Sequence, residues 1–99
     1  NLYYNTTDTE DDDGIAYGHE DELLDLLKTN KGIKTIHLNS GGGMIEPSQD
    51  MSAIIIDAKL DTHVEFKCAS ACVTMFLGGL NRTLGLGGEA RISQKLLGS

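Results

Sequence analysis

Ile33-Lys34-Thr35-Ile36-His37-Leu38-Asn39-Ser40-Gly41-Gly42-Gly43 is the stretch on which the fold turns. Its apolar residues predict a strand over Ile33 to Leu38, closed by a polar turn of three successive glycines. A helix follows from about Ile45 to Lys59. Pro47 is tolerated in its first turn, and Met51, Ile54, Ile55 and Ala58 keep helical spacing on one side. Thr62 to Lys67 then alternates as a second strand, with Val64 and Phe66 facing one way and His63, Glu65 and Lys67 the other. It runs into Cys68-Ala69-Ser70-Ala71-Cys72, after which Val73 to Leu77 reads as a buried helix stopping at Gly78-Gly79. The segment from Asn81 to Ile92 holds Gly85, Gly87 and Gly88 and suggests a turn into a short strand. Strand–helix alternation of this kind predicts βα crossovers, and hence an α/β fold with a largely parallel sheet.

On the amino-terminal side, Asn1 to Asn5 and Ile15 to Tyr17 are β-prone pieces flanking a polar stretch that ends in Asp11-Asp12-Asp13-Gly14. The simplest expectation is a hairpin over residues 1–14 with a solvated acidic loop. A calcium loop is the alternative. With Thr9 as position one, Asp11, Asp13, Gly14 and Glu20 take positions three, five, six and twelve of an EF-hand, but no helix precedes it. The expectation is therefore no metal. Glu20 to Thr29 reads as a helix with acids in its first turn and Leu23, Leu24, Leu26 and Leu27 in one apolar sector.

Acids outnumber bases 15 to 8, for a net charge of −7. Such a surface repels phosphate backbones and anionic lipid, so no nucleic-acid partner is expected. No apolar run approaches the roughly 20 residues of a membrane span, so no membrane insertion is expected either. The chain begins at Asn1 rather than Met, so the lack of a signal peptide in it does not fix the compartment. Its 99 residues correspond to a single domain or part of one.

Two features at the carboxyl ends of the strands could carry chemistry, since open α/β sheets build their sites there. The glycine turn leaves backbone N–H groups unobstructed at a helix start, where an anion or oxyanion is stabilised; three glycines also simply permit close packing. Ser70 stands between Ala69 and Ala71 at the start of a buried helix. Small neighbours suit a nucleophile, while the plain alternative is a helix cap. Cys68 and Cys72 bracket it, too few ligands for a zinc site. They are either two buried thiols or a disulfide, and a bridge requires Cys68 to precede the helix. An oxidising compartment, and thus export, would follow from a bridge.

The run Ile36 to Gly43, the helix and strand after it, Cys68-Ala69-Ser70-Ala71-Cys72 and Ala90-Arg91-Ile92 together resemble the Clp-protease/crotonase superfamily. The likeness spans Ile15 to Ile92 and is nearest its Clp-like branch of exported bacterial proteins. It implies a superhelix of ββα units, of which this chain would be a partial unit, incomplete at its carboxyl end. It also implies a serine peptidase acting on a peptide or protein substrate, without cofactor, as a homo-oligomer. Ser70 takes the nucleophile's place, and the N–H groups of Gly42 or Gly43 and of Ala71 the oxyanion hole. The family's general-base histidine is replaced by Lys95, and the acidic third member of the triad would lie beyond Ser99. A lysine serves as base only when its pKa is lowered well below about 10.4. His19 is read as an exposed residue at a helix start, and His37 and His63 as residues on the polar faces of their strands, rather than as substitutes. Two other readings follow: a non-catalytic binding or assembly module that has lost its base, and crotonase-like acyl-thioester chemistry, for which no coenzyme A site is legible.

Overall fold

The computed structural model describes residues 1–7 and 14–85, together with the backbone of 89–91. Its elements are β1 (Leu2–Asn5), α1 (His19–Thr29), β2 (Thr35–Ser40), α2 (Ile45–Asp57), β3 (Asp61–Ala69), α3 (Ala71–Leu77), β4 (Arg82–Leu84) and β5 (Glu89–Arg91). All strand pairs are parallel. The sheet runs β1-β2-β3-β4, with β5 also pairing onto β3. The chain is thus a small α/β fold in which three helices join parallel strands. β3 is long enough for two short strands to share its outer edge. β4 pairs along Thr62–Val64 and β5 along Lys67–Ala69.

The core follows from the strand period. Ile36 and Leu38 on β2, and Thr62 and Val64 on β3, point to the face covered by the helices. There they meet Leu23 of α1, Met51 and Ile55 of α2, and Ala71, Cys72 and Met75 of α3. Thr62 is tolerated in this layer because its hydroxyl donates to the Phe76 carbonyl at 2.8 Å. The expected apolar sector of α1 is narrower than its four leucines suggest. Leu23 is buried and Leu27 packs against the core, but Leu24 and Leu26 are exposed.

Two expectations are corrected. Among the described residues the amino-terminal strand pairs in no hairpin: β1 lies parallel to β2, and Ile15 instead makes an isolated parallel bridge with Gly43. Parallel pairing lets Leu2 and Tyr4 pack on the same core as Ile36 and Leu38, which an excursion with Ile15 to Tyr17 would not. The alternation of β3 also breaks. Leu38 pairs with Val64 but Ser40 pairs with Cys68, so β3 carries two extra residues and bulges. Glu65, Phe66 and Lys67 are all exposed in consequence, Phe66 at 64%, before Cys68 returns to the core. No described helix is long and apolar enough to cross a membrane.

Candidate active site

The turns leaving β2 and β3 meet. The bulge in β3 brings Cys68 beside Ser40, so the residues following each strand emerge side by side at one end of the sheet. Gly42 lies against Ser70. A Cβ built on Gly42 would stand 2.9 Å from the Ser70 Cβ, 3.0 Å from the Ala69 carbonyl oxygen and 3.4 Å from the Ala71 nitrogen. The glycine turn and the serine therefore share one site, which only a residue without a side chain at position 42 allows.

Ser70 is exposed, with φ 55° and ψ −122°. This is the backbone of the first central residue of a type II′ turn, where glycine normally stands because a Cβ is crowded there. Lys59 is the other described non-glycine residue with positive φ. It follows the end of α2, where such a conformation is a common helix stop. Ser70 has no such excuse: it precedes a helix. Its side chain makes no capping hydrogen bond to α3, so the helix-cap reading is set aside. A non-glycine residue in a glycine conformation costs of the order of 1–3 kcal/mol and persists where the surroundings over-determine it.

The glycine turn is held from two sides. The Ser40 hydroxyl, fully buried, accepts from the Gly42 N–H at 3.1 Å and from the Thr6 hydroxyl at 2.8 Å, and approaches the Gly42 carbonyl at 3.3 Å. On the other side the Ile15 N–H donates to the Gly42 carbonyl and the Met44 N–H to the Ile15 carbonyl, both at 2.9 Å. This bridge uses the groups either side of Gly43, so the N–H of Gly43 points away from Ile15. Gly42 and Gly43 both have positive φ, 111° and 145°. The expectation that Gly42 is an oxyanion donor is corrected, since its N–H is occupied by Ser40. Gly43 and Ala71 remain as the donor pair to consider.

Cys68 and Cys72 are joined in a disulfide with their Cα atoms 5.2 Å apart. Cys68 belongs to β3 and Cys72 to α3, the arrangement a bridge across so few residues requires. Both are fully buried beneath the turn.

The histidines lie elsewhere. His37 and His63 are register partners on the sheet face opposite the helices, about 10 Å upstream of the level at which Ser40 pairs with Cys68. There Tyr3, His37, His63 and Thr83 form a rung across four strands. Tyr3 stacks on His37 at 4.4 Å and His37 meets His63 edge-on at 5.3 Å. His63 Nε2 pairs with the Glu65 carboxylate at 2.8 Å and Nδ1 with the Thr83 hydroxyl at 2.6 Å. Burial first, and then the neighbouring His63, hold His37 below the usual 6.5. The Nε2 atom of His37 is occluded and has no hydrogen-bond partner. This face forms a groove of about 320 Å³. His19 is engaged at the start of α1, where its Nδ1 accepts from the Tyr4 hydroxyl at 2.7 Å and the Ala16 N–H at 3.3 Å.

Lys95 lies outside the described residues, as do Thr9 to Asp13 of the calcium-loop reading. Glu20, the last ligand of that reading, accepts from the Gly18 N–H at 2.6 Å. No group of three or more metal-ligating side chains that could hold an ion occurs among the described residues. Two contributors escaped sequence reasoning. Ser40 was legible as a small polar residue before glycines, but only its burial reveals the hub it forms. The Lys67 ammonium lies beside Gly41, 3.6 Å from where a Cβ on that glycine would stand, because the bulge turns it toward the glycine loop. No family model matches the chain, and no curated protein or solved structure matches it either.

Proposed function

We propose that this chain is a serine hydrolase domain of the Clp-protease type, acting on peptide bonds, with Ser70 as nucleophile. The observation that carries the reading is the exposed Ser70 in a glycine backbone conformation, against the glycine turn of the adjoining strand. A cap or a spacer would not need that strain. A nucleophile does, because a sharp strand-to-helix turn lifts the hydroxyl clear of its neighbours and sets the next N–H beside it.

In this mechanism the Ser70 Oγ attacks the substrate carbonyl carbon as its proton passes to a base. The carbonyl oxygen becomes an oxyanion and receives hydrogen bonds from the N–H groups of Gly43 and Ala71, with the positive end of α2 behind the first. Collapse expels the amine, which takes the proton from the base, and leaves an acyl-serine. Water then repeats the sequence with the acyl carbon and restores Ser70. Lys95, at the family histidine's place, is the candidate base. β5 brings Arg91 into register with Ala69, and the residues from there to Lys95 span at most about 14 Å when extended. A neutral amine is needed, so activity would rise with pH through the lysine pKa.

A fluorophosphonate probe tests the reading on the full chain. The expected result is a single adduct at Ser70, absent in Ser70→Ala. An unlabelled native chain over pH 7–10 would favour the non-catalytic binding or assembly module, a reading supported by the placement of His37 and His63 far from Ser70. The homo-oligomer and export belong to the same proposal. Export gains support from the disulfide, which persists in oxidising compartments.

A further inference from the structure

We propose that the Cys68–Cys72 disulfide is a positioning element, which holds Ser70 in its glycine-like backbone conformation and so keeps the hydroxyl on the glycine turn. This deepens the hydrolase reading and rests on it.

The bond closes a ring of a few residues with Ser70 at its apex. Its two ends are anchored independently. Cys68 is paired in the sheet, opposite Ser40 on one side and Ala90 on the other. Cys72 lies in the first turn of α3, which packs on α2 and on the sheet. The chain must therefore leave a strand and enter a helix with its Cα atoms at positions 68 and 72 only 5.2 Å apart. An unbridged serine at the start of a helix adopts an extended conformation and turns its hydroxyl back onto the helix N–H groups. That relaxed state carries Ser70 away from Gly42 and gives up the exposed hydroxyl. Noncovalent ties hold the residues on either side: Ala69 pairs with Arg91 in the sheet, Ala71 is buried in the core, and the Ser70 carbonyl accepts from the Val73 N–H at 3.0 Å. The covalent bond is the restraint that spans the residue. Both sulfurs are fully buried, which suits a permanent clamp rather than a readily reduced switch.

A thermal comparison that needs no chemistry at Ser70 tests the clamp. Ser70→Gly removes the Cβ crowding at φ 55°, whereas Ser70→Ala keeps it. In the oxidised chain, Ser70→Gly is expected to melt about 4–8 °C above Ser70→Ala, the shift that a modest release of strain produces in a domain of this size. In Cys68→Ala/Cys72→Ala the backbone is already relaxed, and that difference should fall by more than half. Cys72→Ala alone, which keeps one sulfur in the core, serves as a second bond-free chain should the double variant not fold. An equal advantage for glycine with and without the bond overturns the clamp. So does no advantage in the oxidised chain, whatever the bond-free chains do. Fluorophosphonate labelling, at a temperature where circular dichroism shows each chain fully folded, adds the functional arm. Displacing the hydroxyl is expected to slow labelling about a hundredfold in the bond-free chain. Unchanged labelling there overturns the positioning role. A native chain that shows the thermal coupling but no labelling sinks the hydrolase reading and upholds the clamp.

Discussion

The turn leaving β2 and the turn leaving β3 solve the same geometric problem in opposite ways. Each carries the chain from a parallel strand into a helix, and each passes through positive φ. After β2 the residues that do so are Gly42 and Gly43, for which the conformation is free of Cβ crowding, and hydrogen bonds from Ser40 and Ile15 suffice to hold them. After β3 the residue is a serine, and a disulfide spans it. A fold that needed only to turn would have used glycine twice. The difference teaches that position 70 keeps a side chain at a conformational cost, whereas position 42 gives one up so that its neighbour has room.

The comparison can be broken most forcefully at Gly42. Gly42→Ala forces a Cβ onto Ser70 and the Ala69 carbonyl at a φ of 111°, and is expected to lose about 2–4 kcal/mol in urea unfolding, together with probe labelling. A chain that tolerated alanine there would show that the two turns do not meet. Ser40→Ala acts on the glycine turn alone. It strands the buried Gly42 N–H and the Thr6 hydroxyl, at about 1–3 kcal/mol by the same measurement. Labelling should slow in proportion to the loosening of the turn, while the disulfide stays intact by thiol titration.

Away from the turns, His37 supplies a pH test. Its folded-state pKa is depressed, so between 6.5 and that lower value the unfolded chain binds the proton that the folded chain refuses. Stability should therefore fall as pH drops below about 6.5 and level off once the folded histidine is also protonated. His37→Gln should flatten the thermal midpoint across that window. A midpoint that rises on acidification would contradict the burial of the ring. The smallest effect is expected at Phe66. As a core residue of an unbroken alternation it would cost about 3–5 kcal/mol on truncation. Exposed on the bulge, Phe66→Ser should change stability by no more than about 0.5 kcal/mol.

Much of the architecture was written locally. The alternation of Ile36 and Leu38, the helical spacing of Met51 and Ile55, and glycines at a strand end each report one element's own period. Short-range periodicity is enough to give strand, helix and turn in order, and their alternation implies parallel pairing. The same local chemistry singles out Ser70 and the glycine turn without showing that they lie together. The partner of β1 was not legible, because a short β-prone segment carries no mark of which neighbour it will pair with. Nor was the bulge, which is a register mismatch between two strands rather than a property of either, and which exposes Phe66 and turns Lys67 toward Gly41.

By itself, then, the order of residues determined which segments are strands and helices and which side chains have the chemistry to react. Tertiary structure alone decided that Gly42 is spent on Ser40, that Gly43 is the glycine whose N–H faces away from Ile15, and that Ser70 stands upright in a backbone conformation it would not choose. Those are facts about approach between segments distant along the chain. They depend on register, on the room a missing Cβ leaves and on a covalent bond between a strand and a helix, none of which a one-dimensional pattern contains.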